Sequence, residues 1–303
     1  MGRTVVCGHP SQVGNQVSHR GGVAMRSRLQ LGVILALILV TLVCAGVRIQ
    51  AWNPATHIYI AKNVYPAYAG SPAFWYGAIA PDMAMYVPEG YNWASAFWDT
   101  HWTVTDLRIW ATNSYERSFA RGWITHNEAY AADHFAHGYP PLYLAGYVTL
   151  RARLLATLSP VAIPDDVAHY AVETAVDILM QARHPELAGE LLAALPQQPT
   201  VAQGLLKRAF VWWPFQRTTV QALYLSEAQF DAVAGLYAQA LVAWSSDHRL
   251  MQGLGVEIAR QSGVTVTAAE VELLLQAAMA MCDRDLDLAL AVTVRAVAAS
   301  VPR

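Results

Sequence analysis

Between Gly122 and Gly138 the chain reads GWITHNEAYAADHFAHG, and His126, Asp133, His134 and His137 place three imidazoles and a carboxylate in one short stretch. At ~100° per residue on an α-helix, Asp133 to His137 is one turn and His126 to Asp133 is two. The spacing therefore predicts a helix that projects these three from one side and His134 from another. Ala129, Ala131, Ala132 and Ala136 lie between them; such small side chains let a second helix or a cation come close. Nitrogen and carboxylate donors without thiolate suit zinc with positions open to water. The same residues also suit a buried ion-paired cluster. One helical face supplies fewer than the four ligands zinc takes, so a metal reading needs donors from other elements.

Such donors recur along the chain. His57 falls near the start of a helix predicted by Ile58, Ile60, Ala61 and Val64 and closed by Pro66 and Gly70. Asp82 follows Pro81, where a short apolar helix stops and a loop is predicted to expose it. His101 comes two residues after Asp99, just before another helix. His169 and Glu173 stand at i and i+4, sharing a face with Asp177, in a helix opened by Asp165 and Asp166 after Pro164. His134, His184 and His248 are expected to be ordinary core or surface histidines, and Asp99 and Asp177 receive no role of their own.

The elements that must position these residues all read as helix. Pro140 and Pro141 end the central stretch, a long apolar helix runs from about Leu142 to Leu158, and capping boxes pair Ser226 with Gln229 and Thr267 with Glu270. No run shows the bounded β-branched alternation that strands require, which predicts an all-α body. With 55% apolar and 14% charged residues and no linker-like stretch, residues 52–303 are expected to form one domain.

Residues 1–51 are chemically different, because every acidic residue comes later, from Asp82 onward. Arg26 and Arg28 precede 19 uncharged residues, Leu29 to Val47, and small Ala51 precedes the body. This reads as a signal peptide or an uncleaved single-pass anchor, and either places the body outside the cytoplasm. Beyond it Cys282 is the only thiol, so an internal disulfide is excluded. The body carries 15 Lys and Arg against 22 Asp and Glu, a formal charge of −7, which disfavours polynucleotide partners.

Taken in order, Trp52, His57, Asp82, His101, His126, Asp133, His137, His169 and Glu173 form a recognisable series. With WxxxxH after the leader, GAIAPD (Gly77 to Asp82), THW around His101, the central H…D…H and HxxxE, the chain resembles the zinc-dependent phospholipase C superfamily. That superfamily includes the single-strand-specific zinc nucleases of the same all-helical fold. The resemblance spans Trp52 to Met180, with one departure: the family spaces the central pair as HxxxD, whereas six residues separate His126 from Asp133.

The resemblance implies a single-domain helical bundle holding three Zn(2+) ions. Asp82, His101, His126 and Asp133 would hold the first; His137, His169 and Glu173 the second; His57, Asp133 and the α-amino group and carbonyl of Trp52 the third. Asp82 would also serve as general base or water orienter. The expected activity is phosphate-ester hydrolysis by a metal-bridging hydroxide, with a phospholipid phosphodiester as substrate and possible peripheral contact with a membrane. Alternatives are a zinc nuclease of the same fold and a non-catalytic cell-surface module with structural metals. No protein partner is inferable.

Overall fold

The computed structural model describes residues 52–87, 96–102, 106–139, 144–159, 162–194, 198–210, 227–246 and 248–302. Expectations for the leader, for Pro140, Pro141 and Leu142, and for Ser226 fall outside them. The described elements are helical apart from one two-residue antiparallel pair, β1 (Gly138–Tyr139) with β2 (Leu144–Ala145).

Helix α1, Pro54–Val64, opens on Pro54, whose fixed φ suits a first turn and whose missing N–H would be unpaired there anyway. The donor of Thr56 is capped from another helix: Asp177 Oδ1 accepts from Thr56 N at 2.8 Å and from its hydroxyl at 3.0 Å. A carboxylate at this end also opposes the positive pole of the helix dipole. Asp177 therefore sets where the helix of His57 begins.

Helix α2, Pro72–Ile79, is buried from Ala73 onward, as a helix apolar on every side must be. Helix α3, Ser114–Trp123, starts on Asn113, whose side chain accepts from Glu116 N, and buries Phe119, Ala120 and Trp123. The two helices meet backbone to backbone. A Cβ on Gly77 would sit 2.0 Å from the Phe119 carbonyl oxygen, and one on Gly122 would sit 2.1 Å from that of Phe74. Only glycine permits this crossing.

The stretch from Gly122 to Gly138 is not one helix. Helix α3 stops at Trp123, turns occupy 124–130, and α4 spans only Ala132–His137 before Gly138 leaves it at φ 84°. Thr125 Oγ1 donates back to Gly122 O at 2.7 Å and Asn127 Oδ1 accepts from Ala129 N at 2.7 Å. Such local side-chain bonds offer the backbone an alternative to the helical ladder. The next helix, α5, begins at Tyr147 and not near Leu142, running to Leu158.

Helix α6, Asp165–Arg183, is buried along most of its length, with α1, α5, α10 (His248–Gln261) and α11 (Ala268–Cys282) packed on it. Helices α7 (Glu186–Ala194), α8 (Gln198–Phe210) and α9 (Glu227–Ser246) lie between α6 and α10 in the chain, and α12 (Leu286–Ser300) follows α11. The capping box of Thr267 with Glu270 is present at the start of α11. Phe74, Trp75, Tyr76 and Tyr86 are buried in the core, while Trp98 is 45% exposed.

Candidate metal centre

The glycine crossing of α2 and α3 has a direct consequence for His126. It brings the α2 backbone close enough for His126 Nδ1 to donate to the Ala78 carbonyl at 2.8 Å. A carbonyl only accepts, so Nδ1 carries a proton and Nε2 points away from α2. His101, in a single π-helical turn (Trp98–Trp102), is fixed in the same way. The Thr100 hydroxyl gives its proton to the Ala96 carbonyl at 2.9 Å, so its oxygen accepts from His101 Nδ1 at 2.7 Å. The two Nε2 atoms then face each other at 3.2 Å, turned toward the same interior point.

Two carboxylate oxygens join them. Asp82 Oδ1 lies 3.5 Å from His101 Nε2 and 3.4 Å from His126 Nε2; Asp133 Oδ2 lies 3.8 and 3.1 Å from the same atoms. A tetrahedron with metal–ligand bonds of ~2.0 to 2.1 Å has edges of ~3.3 to 3.4 Å. The observed separations bracket that edge. Asp82 is not exposed on a loop as its sequence context suggests: the 3₁₀ segment Ala80–Tyr86 turns it inward, and it is 0% exposed.

Asp133 faces two ways. Its Oδ1 lies 3.3 Å from His57 Nε2, whose ring stacks on His126 with centroids 3.9 Å apart. Neither nitrogen of His57, nor any carboxylate oxygen of Asp82 or Asp133, has a hydrogen-bond partner, and all are buried. Buried polar atoms are almost always paired, so an orphaned set of this size marks a place built for another ligand. Trp52 is fastened beside it, its indole donating to the Ala132 carbonyl at 2.9 Å and stacking on Tyr147. Asn53 reaches Thr174, the neighbour of Glu173, at 3.4 Å.

A second group lies toward solvent. His169 Nε2 is 3.1 Å from His137 Nε2 and 2.9 Å from Glu173 Oε1, and His137 Nε2 is 4.0 Å from the same oxygen. Helical spacing alone presents His169 to Glu173.

Three groups of donors can therefore hold a metal ion: His57, Asp82 and His126; His101, His126 and Asp133; and His137, His169 and Glu173. The first grouping places His57 with Asp82 as well as with Asp133. Every side chain singled out from the sequence as a ligand is in or beside this cluster. His126 and Asp133 meet for a different reason from helical periodicity, because the turn folds back and Asp133 N donates to His126 O at 2.9 Å.

The charges act strongly on one another. Burial raises the Asp82 carboxyl, but His126 and His101 more than offset it and hold it below the usual carboxylate range. Burial lowers His126, yet Asp133 and Asp82 raise it well above an ordinary imidazole. Burial and then His126 push His57 down, while burial together with Asp82 and Asp133 pushes Glu173 well up.

Several contributing residues carry no motif. Thr100 and the Ala78 carbonyl fix two imidazoles, Asp177 caps α1, and Glu128 contacts His137 Nδ1. His134 lies off the cluster, its Nδ1 3.1 Å from the Glu128 carbonyl, and His184 faces Glu186 at 3.5 Å. Tyr237 of α9 donates to the Ile79 carbonyl, so a C-terminal helix backs the α2 end that meets His126. No helix among the described residues is long and apolar enough to cross a membrane. No protein-family model, curated protein or solved structure matches the chain.

Proposed function

We propose that the cluster is a zinc centre of three ions and that the protein is an exported hydrolase of phosphate esters, with phospholipid phosphodiesters as its first substrate class. The observation that carries this reading is the convergence of Asp82 Oδ1 and Asp133 Oδ2 on His101 Nε2 and His126 Nε2, at 3.1 to 3.8 Å from those two facing nitrogens. With both rings neutral, the two Nε2 lone pairs at 3.2 Å repel unless a cation lies between them. Proton-mediated pairing is the competing account: a protonated His126 Nε2 reaches Asp133 Oδ2 at 3.1 Å and Asp82 Oδ1 at 3.4 Å, but it leaves both ring nitrogens of His57 buried without a partner.

In this reading Asp82, His101, His126 and Asp133 hold one ion, and His137, His169 and Glu173 another. His57 and the second oxygen of Asp133, with the carbonyl of Trp52 and the α-amino group that cleavage after Ala51 would free, hold the third. When bound, zinc polarises a phosphoryl oxygen and makes water nucleophilic near neutral pH.

The chain's own groups do the rest. Thr100 and the Ala78 carbonyl keep imidazole lone pairs aimed inward, the sealed interior excludes bulk water, and Asp82 is the residue placed to orient the attacking water or take its proton. Substrate approaches by His137 and His169, the donors that reach solvent. The −7 body weighs against polynucleotides. The buried aromatics of α2 serve the core, so the lipid preference rests on the overall resemblance and on that charge.

The test is elemental analysis of protein never exposed to chelator, coupled to assays with a chromogenic choline phosphodiester, phosphatidylcholine vesicles and single-stranded DNA, each with and without chelator. Close to three zinc ions per chain and chelator-sensitive phosphodiester cleavage are expected. Metal-free protein would end the reading, and cleavage of DNA alone would move it to the nuclease branch.

A further inference from the structure

His101 and His126 are oriented by neutral groups, a hydroxyl and a backbone carbonyl. His137 is oriented by a charge. Its Nδ1 donates to the carboxylate of Glu128, a residue in the turn between α3 and α4 that is only 3% exposed. The main-chain groups of Glu128 are also engaged with histidines: its N–H donates to the His101 carbonyl at 2.8 Å, and its carbonyl accepts from His134 Nδ1 at 3.1 Å. A carboxylate is buried at a cost of several kcal/mol unless it is paired. The fold fixes this one from both sides of its backbone and aims it at the rear of one ring.

We infer that Glu128 is the positioning residue of the solvent-facing site, holding His137 in the tautomer whose bare Nε2 meets His169 and Glu173 and strengthening that nitrogen as a donor to a divalent cation. The inference rests on the metal-centre reading above. A carboxylate behind a metal-binding imidazole fixes the ring and raises its basicity, and its loss costs about 10- to 100-fold in metal affinity. The hydrogen bond of its side chain is to His137, while His101 and His126 feel only its charge, so the effect is largest at one site. The ring partners of His101 and His126 remain in place when the Glu128 side chain is changed.

The experiment strips the full chain with a chelator and titrates Zn(2+) into wild type, Glu128→Ala and Glu128→Gln against a competing fluorescent chelator, with helicity followed by circular dichroism. Wild type is expected to fill the sites built from side chains alone. Glu128→Ala should weaken one site about 10- to 100-fold and the others far less. Glu128→Gln keeps an oxygen that accepts from Nδ1 but removes the charge, so it should fall between the two. Equal weakening of all sites, or wild-type affinity throughout, overturns the proposal. If Glu128→Ala loses helicity, Glu128→Gln decides alone, and wild-type affinity in that variant has the same force. A wild-type chain that takes up no zinc overturns the metal-centre reading and this proposal with it; normal uptake by the wild type and by both variants overturns this proposal only.

Discussion

Asp82, His101, His126 and Asp133 have side chains 0–1% exposed and come from four separate elements, whereas His137 and His169 keep 23% and 15% of theirs in solvent and come from α4 and α6. Among the inner donors, His126 is aimed by a backbone carbonyl that reaches it only once α2 and α3 have met, and His101 by the hydroxyl of its neighbour Thr100. The outer donors are placed by one helical turn and by Glu128. The difference separates two requirements of a metal site: several elements must be locked to define a closed site, while an accessible one is made from helical spacing and a single buried charge.

The sharpest way to break this comparison is at the residue that serves the interior twice. Asp133→Asn weakens the donor shared by His57 and His126, and is expected to abolish phosphodiester cleavage by more than ~10²-fold and to lower zinc content by more than one ion. Metal content and turnover that remain at wild-type levels would remove Asp133 from the centre. Next in size is a matched pair. His126→Ala and His169→Ala should each cost at least ~10²-fold in turnover. Only His126→Ala should also reduce folding stability, by about 1–3 kcal/mol, because it orphans the buried Ala78 carbonyl. Equal melting temperatures would erase the distinction between inner and outer sites.

A smaller effect tests orientation inside. Thr100→Val keeps the shape but removes the acceptor for His101 Nδ1, and should weaken zinc binding about 10-fold with little change in helicity. An unchanged zinc titration would show that the hydroxyl does not set the tautomer. The smallest effect is at His134, whose Nδ1 meets the carbonyl of Glu128: His134→Ala should change turnover by less than ~3-fold, since one hydrogen bond at a partly exposed group is worth about 1 kcal/mol or less. A loss comparable to that of His126→Ala would place His134 among the metal donors.

The ligand residues were legible because their types and order carry chemistry, and His169 with Glu173 because helical spacing alone puts them together. Pro54, Pro66 and Pro164 mark helix boundaries, and Thr267 with Glu270 shows its cap directly. The break after Trp123 was harder to read, since Thr125 and Asn127 act through bonds to their own backbone while the alanines around them favour helix. Asp82 follows a proline and so resembles a turn residue; its burial depends on contacts with histidines 19 and 44 positions later. Glu128 and Asp177 act on His137 and Thr56 across the fold, and nothing adjacent in the chain announces either contact.

The crossing of α2 and α3 at Gly77 and Gly122 also bears on how the interior responds to compression. Pressure acts on proteins by eliminating internal voids, and two backbones already in contact leave none between them. The Ala78 carbonyl that aims His126 is part of that incompressible seam. Under hydrostatic load the described structure should yield first where side chains rather than backbones fill the space, such as the apolar cavity lined by Met83, Val87, Phe210 and Phe230. The spacing between α2 and the ring of His126 should change least.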